Sequence, residues 1–268
     1  MATVATGGMT IEVTAPHPAH GGLVDVLDSL GYVKDVSDPH LGLGAVYEMP
    51  FCGVPKFAPG LCDDALAIPP GTEKEFDEPD QGESRAFAIY KGIVCSPFYK
   101  GYEEKTKAAL EAGATHAVEE AYQILILDDA IVLTPGTAYG IVDALGLAEE
   151  ALADNVGSGG FLSVSRYGAA WLANTRGVKS DENYHLWTAQ GTPIINGGGI
   201  SRAHNGVNPA TADGFFLYVT APFTLLRGPV VYNQAQGLST NTEEGLAEQV
   251  FSITNPCYVL AIEVDPGK

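Results

Sequence analysis

The chain has 268 residues, with 33 acidic against 14 basic side chains and a formal net charge of −19. That balance argues against wrapping nucleic acid through phosphate neutralisation and against binding anionic membrane surfaces. Its 32 glycines and 17 prolines favour turns and loops over a helix bundle, and its length allows one large domain or two.

The first residues lack a basic region followed by an apolar core, and no run approaches the roughly 18 apolar residues of a membrane span. Residues 1–21 are small and polar and read as an extended arm. Leu23 to Leu30 is a short amphipathic helix, with Gly31 placed to end it. Residues 37–84 are unusual for a compact domain. Pro39, Pro50, Pro55, Pro59, Pro69, Pro70 and Pro79 forbid a regular helix, and acidic residues crowd between Asp63 and Glu83. A connection this long is uncommon inside one domain. It is either a solvated loop or a projecting arm ordered against a neighbour. Arg85 to Cys95 alternates as a strand, with Phe87, Ile89, Ile93 and Cys95 on one side.

The stretch from Tyr102 to Ile124 has no proline and carries apolar or small residues at helical spacing: Leu110, Ala114, Ala117, Val118 and Ala121. The expected opposite face holds Glu103, Glu104, Lys107, Glu111, Thr115 and Glu119, with Glu103 and Lys107 in the favourable i, i+4 order. Gly113 is the expected point for another backbone to come close. Beyond it, Thr137 to Asn155 is a second helix with Ile141, Leu145, Ala148 and Leu152 on one face. Phe161 to Val164 is a strand, and Ser165 caps a third helix ending near Gly177. His185 to Gln190 and Thr192 to Asn196 form a hairpin. Gly197-Gly198-Gly199 opens a loop. The remaining strands are Phe215 to Thr220, Phe223 to Tyr232, Gln249 to Thr254 and Cys257 to Val264. The order is that of an α+β fold, not of repeated βαβ units.

Motifs for chemistry are lacking. There is no G-x-S-x-G, no H-E-x-x-H and no Walker A. Cys52, Cys62, Cys95 and Cys257 have no C-x-x-C spacing, which argues against a zinc site, and they read as scattered thiols, with a Cys52–Cys62 pair conceivable. None of the histidines has a nucleophile or carboxylate beside it at a known catalytic spacing; His116 faces Glu120 along the helix. The expectation is no catalytic residue, no metal and no cofactor, and Trp171 and Trp187 are read as core.

Four stretches, in this order, resemble one family: Tyr90–Pro97 leading into Glu111–Ala121, Ala144–Asp154, Gly191–Gly199, and Asn241–Val250 with Asn255–Tyr258 close behind. With the arm, long loop and long helix, the chain resembles the major capsid proteins of tailed double-stranded DNA bacteriophages, as found in actinobacterial phages and prophages. Theirs is the Hong Kong 97-type fold, shared with encapsulins. The likeness covers about 85–268 as sequence pattern and the earlier part as architecture.

The resemblance implies an N-terminal arm with a short helix (1–36) and an extended E-loop (37–84). It implies a peripheral domain (85–136 and 226–268) around a spine helix (102–124), and an axial domain (137–225). It implies a structural, non-enzymatic shell protein forming pentamers and hexamers of an icosahedral head, assembled in the host cytoplasm. Such a shell encloses DNA without sequence-specific binding and engages no membrane. Portal and decoration proteins are possible partners. Many relatives carry a removable N-terminal scaffolding segment; a chain without room for one implies a separate scaffold or none. Some relatives cross-link Lys to Asn, but beside Lys56 and Lys74 no partner Asn or catalytic carboxylate is identifiable. Tyr47, Met49, Phe51, Val54 and Phe57 are apolar side chains in the expected E-loop, so they are expected to contact a neighbouring subunit. An encapsulin-like compartment and a soluble α+β enzyme with a spatially assembled site are the alternatives.

Overall fold

The computed structural model describes residues 20–37, 41, 44–48, 81–95, 101–133, 135–157, 159–237 and 242–268. The expected arm as far as residue 19, and 49–80 of the expected loop, lie outside them.

Helix α1 (Leu23–Ser29) buries Leu23, Val26 and Leu27, the residues that helical spacing puts on one face. Gly31, at φ 78°, turns the chain out of it into β1 (Val33–Asp35). Strands β2 (Val46–Glu48) and β3 (Gln81–Glu83) pair antiparallel with Glu48 opposite Gln81. Strand β4 (Arg85–Cys95) alternates as the sequence predicts: Ile89 is buried, while Tyr90 and Val94 face outward. The long helix α2 (Tyr102–Leu125) matches the predicted stretch to within a residue and ends in a 3-10 turn, Leu127–Asp129, before β5 (Ile131–Val132).

Helix α3 (Ile141–Asn155) begins later than predicted, at the first residue of its apolar stripe, because Gly140 before it is extended. After β6 (Phe161–Ser165), Ser165 caps α4 (Arg166–Leu172) by accepting from Gly168 N at 3.3 Å. That helix stops short of the predicted Gly177. Strand β7 (Val178–Ser180), too short to signal itself by alternation, follows. The predicted hairpin is β8 (Leu186–Thr188) and β9 (Pro193–Gly197). Strand β10 (Phe215–Thr220) has the predicted bounds. Strands β11 (Leu225–Gly237) and β12 (Thr242–Ile253) are longer than predicted, and β13 (Val259–Val264) closes the fold.

Among the described residues the strands form three sheets. A four-stranded sheet runs β1-β11-β12-β4, with β1 parallel to β11 and the rest antiparallel. A seven-stranded mixed sheet runs β5-β13-β10-β6-β9-β8-β7. The third is the β2-β3 pair. Strand β13 (Val259–Val264) pairs with β10 on one side and with β5 on the other. The last strand returns because its alternate Leu260, Ile262 and Val264 fit the core under α3.

Both faces of the seven-stranded sheet are covered. Phe215, Leu217 and Val219 point to α3 and α4. Phe216 and Tyr218 point to α1, α2 and the four-stranded sheet. Every residue of β10 is buried, which is why it reads as an unbroken apolar run.

Candidate functional site: the spine helix and its joints

The spine helix α2 is organised around one buried stripe. Leu110, Val118 and Tyr122 are buried, and Ala114 and Ala117 pack against the same core. Ala121 is half-buried. At about 1.5–3 kcal/mol per fully buried large side chain, this stripe fixes the helix on the four-stranded sheet. Tyr122 Oη lies 3.1 Å from Ser163 Oγ on β6. Burial pushes the Tyr122 hydroxyl up to about 12, against which its hydrogen bonds work. On the outer face, Lys107 Nζ meets Glu103 Oε1 at 2.7 Å, and His116 Nε2 meets Glu120 Oε1 at 3.2 Å.

Glu119 departs from the sequence expectation. It was expected on the solvent face, yet it is 1% exposed. Oε1 accepts the backbone N–H of Leu23 at 3.0 Å and Oε2 accepts that of Gly199 at 2.9 Å. The first bond supplies a cap that α1 lacks locally, since Gly22 at its N-cap has no side chain to offer. The second needs β9 to end against the helix. A Cβ on Gly199 would lie 2.4 Å from His116 O and 2.6 Å from Glu120 N, and one on Gly197 would lie 2.8 Å from Glu119 Cδ. The close backbone approach to α2 is therefore at 116–120. Gly113, the expected position, has nothing within 4 Å. Both errors share a cause: periodicity averages over a face and is blind to a charge that finds backbone donors.

A second joint centres on His185, which is buried. Its Nε2 is 3.0 Å from Asp25 Oδ2 on α1, and its Nδ1 is 3.3 Å from Asp181 Oδ2. Asp25 Oδ2 also accepts from Gly21 N at 2.8 Å. Burial works to raise the Asp181 carboxyl, but the N–H groups of His185, Trp187 and Asn183 outweigh it and hold Asp181 below its ordinary value. Asp181 lies four residues before His185, at no known catalytic spacing, and Asp25 is 160 residues away in the chain, so the sequence does not announce this joint. Among the described residues, no group of three or more His, Cys, Asp or Glu could hold a metal ion.

The root of the long loop is also visible. Ser84 N donates to Ala45 O at 2.8 Å, Ala45 N donates to Ser84 Oγ, and Ser252 Oγ donates to that same hydroxyl. Tyr47 Oη donates to Asn255 O at 3.1 Å. Of the residues expected to touch a neighbour, Tyr47 is thus tied at the root to its own chain, while Met49, Phe51, Val54 and Phe57 lie outside the described residues. Cys257, expected as a free thiol, is disulfide-bonded.

Neither a protein-family model nor a curated protein matches this chain. Solved structures do. A chain of Microbacterium phage Oxtober96 is 13% identical, with 97% of this chain and 96% of that one covered at a TM-score of 0.54. A chain of the capsid of Ralstonia phage GP4 is 8% identical, with 99% and 98% covered at 0.53. A chain of the holo-SrpI encapsulin complex from Synechococcus elongatus PCC 7942 is 12% identical, with 97% and 94% covered at 0.53. At these identities the likeness is one of fold: the chain has the α+β Hong Kong 97-type fold along nearly its whole length.

Proposed function

We propose that this chain is the major capsid protein of a tailed double-stranded DNA phage, a structural protein that self-assembles into an icosahedral head shell around the genome. The observation that carries the reading is the likeness to a phage capsid chain from end to end, with 99% of one chain and 98% of the other superposed. The shell reading also accounts for features that a lone soluble protein leaves idle. Tyr90, Val94 and Val231 are large apolar side chains exposed on the outward face of the four-stranded sheet. Monomers keep such patches small, and assemblies cover them.

In this reading the four-stranded sheet and α2 form the peripheral part, and the lobe under α3 and α4 forms the axial part. Residues 49–80 form an arm laid on a neighbouring subunit, with Met49, Phe51, Val54 and Phe57 as its anchors. Pentamers and hexamers of the chain close the shell in the host cytoplasm. Portal and decoration proteins are its partners in the virion, assembly runs on a separate scaffold or on none, and the DNA is enclosed without sequence-specific contact.

A second reading is an encapsulin-like compartment with a protein cargo; it is favoured by the similar TM-score of 0.53 to an encapsulin complex. Negative-stain microscopy of purified particles, with nucleic acid and protein content measured on the same sample, separates the two. Closed particles rich in DNA are expected. Closed particles holding only a second protein favour the compartment, and a stable monomer in native material overturns both.

A further inference from the structure

We propose that residues 21–35 brace the angle between the two large sheets, and through it the curvature and size of the shell; this rests on the shell reading above. The two sheets are joined covalently by short links at 221–224 and 254–258. These links are bonded to each other, with Thr224 N donating to Thr254 Oγ1 at 2.8 Å and Thr254 N to Thr224 O at 3.1 Å. Two links tied side by side make one hinge, which α2 crosses once through its packing on the four-stranded sheet and the Tyr122–Ser163 bond to β6.

Residues 21–35 cross it. Gly21 O accepts from Asn196 N at 2.9 Å, which ties the segment to β9 of the seven-stranded sheet. Asp25 meets His185 just before β8, on the same sheet. Leu23 N is held by Glu119 on the spine helix. At its other end, Val33, Lys34 and Asp35 pair with Leu225, Leu226 and Arg227 of the four-stranded sheet, and Arg227 Nε donates to Asp35 Oδ1 at 2.7 Å. Between these ends Leu23 and Leu27 are fully buried in the core that both sheets share. One short stretch is therefore bonded to both sheets and to the helix between them. Glu119 is a positioning residue here, since it acts on the angle through α1 and Gly199.

The test uses Glu119→Gln, with Asp25→Asn as a second break at the other joint and Glu120→Gln as the control. Glu120 is exposed, and among the described residues it pairs with His116. Amide exchange on the full chain and particle diameter by electron microscopy are measured together. In Glu119→Gln one carboxylate oxygen becomes an NH2 donor facing an N–H donor. Exchange at Leu23 or Gly199 is expected to rise roughly 10- to 100-fold, and the diameters are expected to spread or shift. Asp25→Asn should move both readouts the same way, and Glu120→Gln neither. Unchanged exchange in Glu119→Gln overturns the brace. Faster exchange with the wild-type diameter distribution overturns its control of curvature. If the wild-type chain gives no closed particles, the shell reading and the curvature claim fall together, and the exchange data alone decide whether the brace exists.

Discussion

Glu119 accepts the backbone N–H groups of Leu23 and Gly199. Glu119→Ala should orphan both in a dry site, at about 1–3 kcal/mol each. A total loss of about 3 kcal/mol is expected by urea denaturation, and a loss below about 1 kcal/mol would mean that water replaces the carboxylate. Burial raises the hydroxyls of both Tyr218 and Tyr122, and Tyr122 carries part of the alkaline limit. Its folded value is raised from 10.0 to about 12, so its contribution is complete below pH 10 and is lost as pH rises through 12. Two units correspond to roughly 3 kcal/mol. Tyr122→Phe should move the alkaline unfolding midpoint upward, while costing about 1 kcal/mol at neutral pH for the Ser163 hydroxyl it leaves behind. An unchanged alkaline midpoint would assign that limit elsewhere. Neither role was legible in the sequence. The i, i+3, i+4 pattern that located Leu110 and Val118 did not single out Tyr122 and put Glu119 on the wrong side. Its two donors lie 96 and 80 residues away, and only the folded chain brings them together.

At the scale of elements, periodicity worked wherever a side chain's environment repeats. Strand β10 was legible because both its faces are buried, and β4 because its faces differ. The distal ends of β11 and β12 were missed: Asn233 to Gln236 and Glu243 to Glu244 have no apolar alternation, and pairing across the hairpin holds them extended. The β2-β3 pair yields a sharper test of the long loop. Glu48 faces Gln81 across the ladder, so a two-residue Asn-Gly turn can replace 49–80 without moving the strands. The shortened protein should remain folded by circular dichroism and fail to form stable shells. Normal shells from it would refute the arm's proposed contact with a neighbour.

For the whole molecule, charge would set the conditions under which the proposed shell assembles. Each subunit brings a net −19, so bringing many together is opposed by repulsion that salt screens, with a Debye length of roughly 10 Å at 0.1 M. Light scattering should show assembly of recombinant subunits accelerating as sodium chloride rises from about 0.05 to 0.5 M; slower assembly would point instead to ion pairs across the interface.

The cap that α1 borrows from Glu119 also orders events in time. A seven-residue helix without its own cap does not persist alone. Its partners Glu119 and Asn196 are synthesised well after it, the latter by roughly 10 to 35 seconds at common translation speeds. A helix made early thus waits for partners made later, and is among the last elements to fold. Throughout that delay Leu23, Val26 and Leu27 stand open to a chaperone or to another nascent copy, and each subunit passes through this exposed stage once, before α1 closes.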